Sequence, residues 1–267
     1  MRHLLIIFCF LLTVPMSSCI GENFASQATN GPAYQLADYS EPLLKGVQQK
    51  VFQAFVAGSI SGSADEMESL DSELEKLYEK SGQKLITYWR AYLKFYSSIY
   101  YLKMGDEKQS EKEIDLGVKW MKNMKDKNSE DYALLAMLQG FSLQFKGMKV
   151  MFMSSNIKDN AKMAVELDPS NPRANYVYAS NDFHTPAMYG GGKEAEEYLL
   201  KAIALPAQKM ANEYLPSWGR EEAYEMLIKL YIKEEKWEKA KEHFSAGTEE
   251  FPESYTINQL APKLIGK

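Results

Sequence analysis

Few residues of this 267-residue chain combine a type and a spacing that could do chemistry. Tyr189-Gly190-Gly191-Gly192-Lys193 has the composition of a loop that cradles phosphate. Such a loop needs a strand before it, four residues between its glycines, and Ser or Thr after the lysine. Here Glu194 follows Lys193 and no strand-like alternation precedes, so the run reads as an elongated turn with glycine at a helix start. Its bare backbone N–H groups could still hold an anion. Ser81-x-x-Lys84 and Ser155-x-x-Lys158 match the spacing in which a lysine activates a serine, but the companion Ser-Asp-Asn and Lys-Thr-Gly motifs are missing. His184 and His243 have no metal-ligand spacing with another His or Cys. His243 reads as a surface or packing residue. His184, at a helix end beside Thr185-Pro186, reads first as a hydrogen-bonded structural residue and second as the centre of a hydrolytic site. Glu221, Glu222, Glu234 and Glu235 read as solvated helix charges, the first two at a helix start where they suit the dipole. No residue pattern marks an acid–base pair, so no catalytic residue, metal or cofactor is expected.

What remains is an aromatic stripe: Tyr88, Trp89, Tyr92, Phe95, Tyr96, Tyr100 and Tyr101. A helix apolar on more than one face is either buried on several sides or lines a groove. Tyr92, Phe95, Ile99 and Leu102 occupy the places that would project into such a groove, and aromatic residues are favoured anchors for a partner. Tyr176 and His184, further along, are candidates for the same surface.

The chain is 45% hydrophobic and 25% charged, with a formal net charge of −5. The apolar content suffices for a core. The acidic balance argues against nucleic acid, which needs clustered Lys and Arg. Arg2 and His3 precede an apolar run from Leu4 to Val14, too short for a membrane span and suited to an export signal. Pro15-Met16-Ser17-Ser18-Cys19 resembles a bacterial lipoprotein box, in which Cys19 would carry the lipid; ordinary cleavage near Ser18 or Ala25 is the alternative. Both cysteines, Cys9 and Cys19, lie in this segment, so the body has no disulfide and no thiolate site. The expected organisation is a leader over 1–19, a tether over 20–40 and a helical domain over 41–267. Membrane contact is expected only through a lipid on Cys19.

Helical periodicity runs from Glu41 nearly to the end. Ser40 is the expected N-cap of the first helix, with Pro42 in its first turn. The stripes predict helix pairs over about 41–55 and 67–81, 86–103 and 107–124, 130–150 and 157–167, 173–184 and 192–205, and 220–233 and 236–248. In the last pair Tyr224, Leu227 and Tyr231 take large positions, followed by Trp237, Ala240, Phe244, Gly247 and Pro252. This resembles a tetratricopeptide repeat, in which small residues let two helices approach and large ones fill the gap to the next pair. Gly117, Ala164 and Ala202 occupy the small position of Gly247 in the other pairs, at irregular spacing.

Three segments extend the resemblance to a group of exported bacterial tetratricopeptide-like proteins. They are Glu166-Leu167-Asp168-Pro169-Ser170-Asn171-Pro172-Arg173-Ala174, then Thr185-Pro186-Ala187-Met188-Tyr189-Gly190-Gly191-Gly192-Lys193, then Pro216-Ser217-Trp218-Gly219-Arg220-Glu221-Glu222-Ala223. The resemblance implies fold and export but no activity. The expected fold is all-α: a right-handed α-solenoid of about five antiparallel helix pairs, built from divergent repeats. The expected function is a non-catalytic binding or scaffold protein of the bacterial envelope, presenting a concave groove to a peptide or protein. An accessory subunit of an envelope complex is the alternative.

Overall fold

The computed structural model describes residues 41–147, 150–205 and 212–267. The expected leader with Cys19, the tether and the Ser40 cap lie outside the described residues. The described residues form helices α1 (Val47–Ser61), α2 (Asp65–Ser81), α3 (Lys84–Lys103), α4 (Glu107–Asn123), α5 (Ser129–Ser142) and α6 (Val150–Leu167). After these come α7 (Pro172–His184), α8 (Ala195–Ala204), α9 (Arg220–Lys233), α10 (Trp237–Glu250), α11 (Tyr255–Asn258) and α12 (Ala261–Leu264). No strand occurs among them. Each odd-numbered helix from α1 to α9 packs on the helix that follows it, and α3, α5, α7 and α9 also pack side by side. The fold is therefore the expected stack of five helix pairs, with odd-numbered helices forming one layer.

Local chemistry explains the boundaries. Gly82 ends α2 in a left-handed conformation (φ 63°), its N–H bonding Tyr78 O at 2.7 Å. Asp106 caps α4 by accepting from Gln109 N at 2.9 Å. Asn128 and Asp131 form a reciprocal capping box on α5. Asn171 caps α7, accepting from Arg173 N at 2.9 Å, and Pro172 stands first in the helix where its missing N–H leaves no bond unmade.

The small residues sit where the pairing argument needs them. Ala164, Ala202 and Ala240 are fully buried. A Cβ on Gly247 would lie 3.3 Å from both Tyr224 and Ile257, and one on Gly117 would lie 3.3 Å from the Ala91 carbonyl and Lys94 Cβ. These positions cannot grow without moving a neighbouring helix. Ala240→Leu should therefore lower unfolding free energy by about 1–3 kcal/mol through overpacking. Urea titration followed by circular dichroism measures this, and an unchanged midpoint would contradict the packing role.

Three boundaries differ from expectation. Pro42 begins a short 3-10 turn over Pro42–Leu44, and α1 starts only after Gly46 (φ 64°). The long helix expected over 130–150 stops at Ser142, followed by a 3-10 turn at Leu143–Phe145 and by Gly147 at φ 50°. The Ser142 hydroxyl donates to Gln139 O at 2.8 Å, a local bond that competes with the helix ladder. Third, α11 and α12, which the repeat pattern did not call for, bury Ile257, Leu260 and Leu264 against the last pair. A stack of repeats ends on an apolar face, and these two short helices cover it.

Candidate binding cavity

The layer of odd-numbered helices carries the site. On α3, side chains spaced three or four apart share a face. Tyr88 and Trp89 are fully buried, while Tyr92, Phe95 and Tyr96 line a half-open cavity of about 950 Å³. From α5 come Ala136, Met137, Gly140 and Phe141, and from α7 Tyr176, Val177, Ser180, Asn181 and His184. Trp218 and Glu222 close the wall from the start of α9. The aromatic stripe therefore does both things its pattern allowed: its first residues are core and its middle is cavity wall.

The concave groove becomes a cavity because the segment before α9 folds back across the layer. Gly46 N–H donates to Glu213 O at 2.9 Å, Trp89 Nε1 donates to Tyr214 O at 3.0 Å, and Ser217 N–H donates to Gln48 Oε1 at 2.8 Å. Trp218 Nε1 donates to the buried Tyr88 hydroxyl at 2.8 Å. The strap thus ties the fifth helix pair to the first two.

Arg173 anchors the strap from below. It is 1% exposed, with Nε and Nη2 each 2.5 Å from the Glu130 carboxylate and Nη1 3.3 Å from Trp218 O. Burial opposes its charge, but Glu130 more than compensates and the guanidinium pKa is raised. Gly219 follows Trp218 at φ 105°, and a Cβ there would come within 2.8 Å of Arg173 Cγ. Only glycine allows both that backbone turn and that approach.

The rings pack edge to face or stacked. Trp218 stacks on Tyr92 (6.3 Å between centroids, 22°) and meets Tyr176 edge-on (6.3 Å, 84°). Tyr92 meets Tyr96 at 5.2 Å, Tyr96 meets Phe95 at 5.5 Å, and Phe95 meets Phe141 at 5.1 Å. The hydroxyls along the wall bond within the protein: Tyr92 Oη to Tyr96 Oη (3.4 Å), Ser154 Oγ to Val150 O (2.8 Å), Thr185 Oγ1 to Asn181 O (2.7 Å).

Glu222 corrects the sequence reading, which placed it among solvated helix charges. Its Oε2 accepts from Gly219 N–H at 2.6 Å, and it faces the cavity beneath the tyrosines. Burial raises its pKa to about 7, against the lowering effect of backbone hydrogen bonds, with Glu221 and Glu225 adding to the rise. Burial first, and then the Glu222 charge, raises Tyr96 to about 12 and raises Tyr176 as well; Tyr92 is raised by burial, then Tyr96, then Glu222. A carboxyl with its pKa near neutrality is the one chemically distinctive group in the wall.

Of the six groove candidates, Tyr92, Phe95, Tyr176 and His184 line this cavity. Ile99 and Leu102 do not; both are half-buried further along α3. Sequence reasoning missed Trp218 and Glu222, although both stand in a segment it singled out. His184 is exposed at the cavity mouth beside Pro186 and Tyr189. Desolvation, then Lys229 and Lys233, lower its pKa. His243 packs against Tyr231 (5.2 Å) with Nδ1 2.9 Å from Lys239 O.

The other chemical candidates are occupied otherwise. Asp182 Oδ2 accepts from Glu194 N–H and Ala195 N–H, both at 2.8 Å, so the donors after the glycine run already hold a carboxylate rather than an external anion. Lys84 Nζ lies 3.1 Å from Asp131 and donates to Asp126 O at 2.6 Å, while Ser81 Oγ donates to Leu77 O. Ser155 and Lys158 are both exposed. Among the described residues no cluster of three or more His, Cys, Asp or Glu could hold a metal ion, and no helix is long and apolar enough to cross a membrane.

Consecutive antiparallel pairs nested through small residues define a tetratricopeptide-like helical-repeat fold. No family model and no curated protein matches the chain by sequence. Several solved structures match its fold, two of them as follows. TTC0263, a thermophilic tetratricopeptide protein of Thermus thermophilus, aligns at 14% identity over 80% of this chain and 99% of its own, with a TM-score of 0.53. The HusA haemophore from Porphyromonas gingivalis aligns at 21% identity over 75% of this chain and 96% of its own, with a TM-score of 0.52.

Proposed function

We propose that this chain is a non-catalytic binding protein of the bacterial envelope, which holds its ligand in the aromatic cavity between the odd-numbered helices and the strap. The cavity carries the reading. Its volume, about 950 Å³, falls in the range of ligand sites, and its wall combines many apolar groups with a few polar ones. That size suits a small molecule or the anchoring side chains of a peptide. Export rests on the apolar run from Leu4 to Val14, and a lipid on Cys19 would tether the domain to a membrane.

Ala136 is buried and lines the cavity. Ala136→Trp should fill much of the space, abolishing ligand capture while the helical circular dichroism spectrum stays unchanged. Native mass spectrometry of both proteins, purified from envelope extract, reads the result. A ligand retained equally by the two would place binding elsewhere.

A tetrapyrrole is a second reading, favoured by the fold likeness to a haemophore and by the flat faces of Trp218 and Tyr92. Its carboxylates would point to the mouth, where the Lys229 and Lys233 charges act on His184. Haemin titration followed by absorbance tests this. No spectral shift at micromolar protein would remove it.

A further inference from the structure

The charge distribution in the cavity indicates what it would select, given the reading that it is a ligand site. Among the described residues lining it there is no lysine and no arginine, and the single acidic side chain is Glu222. Among the described residues Glu222 has no ion-pair partner; its carboxylate accepts from backbone N–H groups, that of Gly219 at 2.6 Å. Around it stand the rings of Tyr92, Tyr96, Tyr176 and Trp218, brought to a common wall by α3, α7 and the strap. Aromatic faces carry negative quadrupole charge, and a desolvated carboxylate beside them adds a full one. An anion entering this end would be repelled by the Glu222 charge and by the negative ring faces. A cation with an apolar body would neutralise Glu222 and lie against the rings at the same time, and desolvation of the wall would strengthen both attractions.

We propose that the cavity selects a small organic cation of the quaternary or tertiary ammonium class, with Glu222 as counter-ion and the Tyr92, Tyr96, Tyr176 and Trp218 rings as the cage around the charged head.

Equilibrium dialysis at pH 8 tests this with three probes of similar size: phenyltrimethylammonium, its neutral carbon isostere tert-butylbenzene, and the anion benzenesulfonate. The parent protein should bind the cation at least roughly tenfold more tightly than the neutral isostere. Benzenesulfonate should bind weakest. Glu222→Gln retains an acceptor for Gly219 N–H, so it should remove the preference for the cation over the neutral isostere. Equal binding of cation and isostere by the parent would overturn the proposal and leave the cavity standing as a ligand site. Binding of neither would overturn both. A preference that persists in Glu222→Gln would also overturn the role given to Glu222, and the parent's own ratio of affinities holds as a test even if that variant folds poorly.

Discussion

Glu222→Gln should be more stable than the parent by up to about 3 kcal/mol at pH 8 and no more stable at pH 4. The carboxyl pKa rises from an ordinary 4.5 to about 7 in the folded protein. The folded state therefore holds the proton more tightly than the unfolded state. Stability from that proton is fully present below about pH 4.5 and is lost as pH rises through 7. Above pH 7 the parent carries a half-buried charge that glutamine lacks, while glutamine still accepts from Gly219 N–H. The groups that face Glu222 do not blur the window: Tyr92, Tyr96 and Tyr176 all titrate far above it. Glu221 and Glu225 are common to both proteins. Urea denaturation of the pair at pH 4, 6 and 8 gives the difference directly. Identical pH profiles would mean that Glu222 is solvated, and the electrostatic picture of the cavity would fail with it.

Arg173→Ala is the second large effect, with an expected loss of about 3–5 kcal/mol. The guanidinium is buried and bidentate on Glu130, so its removal strands a carboxylate and leaves a hole beneath the strap. It also removes the hydrogen bond to Trp218 O and the aliphatic contact against Gly219. Trp218 should then lose its fixed stacking on Tyr92, and ligand capture should weaken along with stability. The double change Arg173→Met with Glu130→Gln tests the cause. It keeps volume and removes both charges, so it should recover much of the loss. If the double variant is no better than Arg173→Ala, the cost arises from lost hydrogen bonds, that to Trp218 O among them, rather than from a stranded charge.

The two effects share a feature of the architecture. In a simple stack of helix pairs each pair touches only its neighbours, and stability is nearly a sum over adjacent interfaces. Here the strap crosses that order. Bonds from residues 213–218 to Gly46, Gln48, Tyr88 and Trp89 join elements more than a hundred residues apart. Such a closure should make unfolding of the first and last pairs cooperative, and it encloses space that an open solenoid would leave to solvent.

The sequence by itself determined the helices, their pairing and the positions where they nest. Those depend on local chemistry: apolar residues at helical spacing, caps such as Asp106 and Asn171, stops such as Gly82, and small residues such as Ala240 and Gly247 between large ones. It also brought forward Tyr92 and Phe95, since aromatic excess on one helix shows without knowledge of its neighbours, and Tyr176 and His184 further along the chain. Tertiary structure alone decided that a groove becomes a cavity, that Ile99 and Leu102 lie outside it, and that Glu222 is not a solvated charge. The reason is that burial of Glu222 comes from tyrosines on α3 and α7, brought over it by a strap whose partners lie far away in the chain. A glutamate at a helix start looks the same in sequence whether water or an aromatic wall stands above it; the distant residues set its dielectric, and its dielectric sets its chemistry.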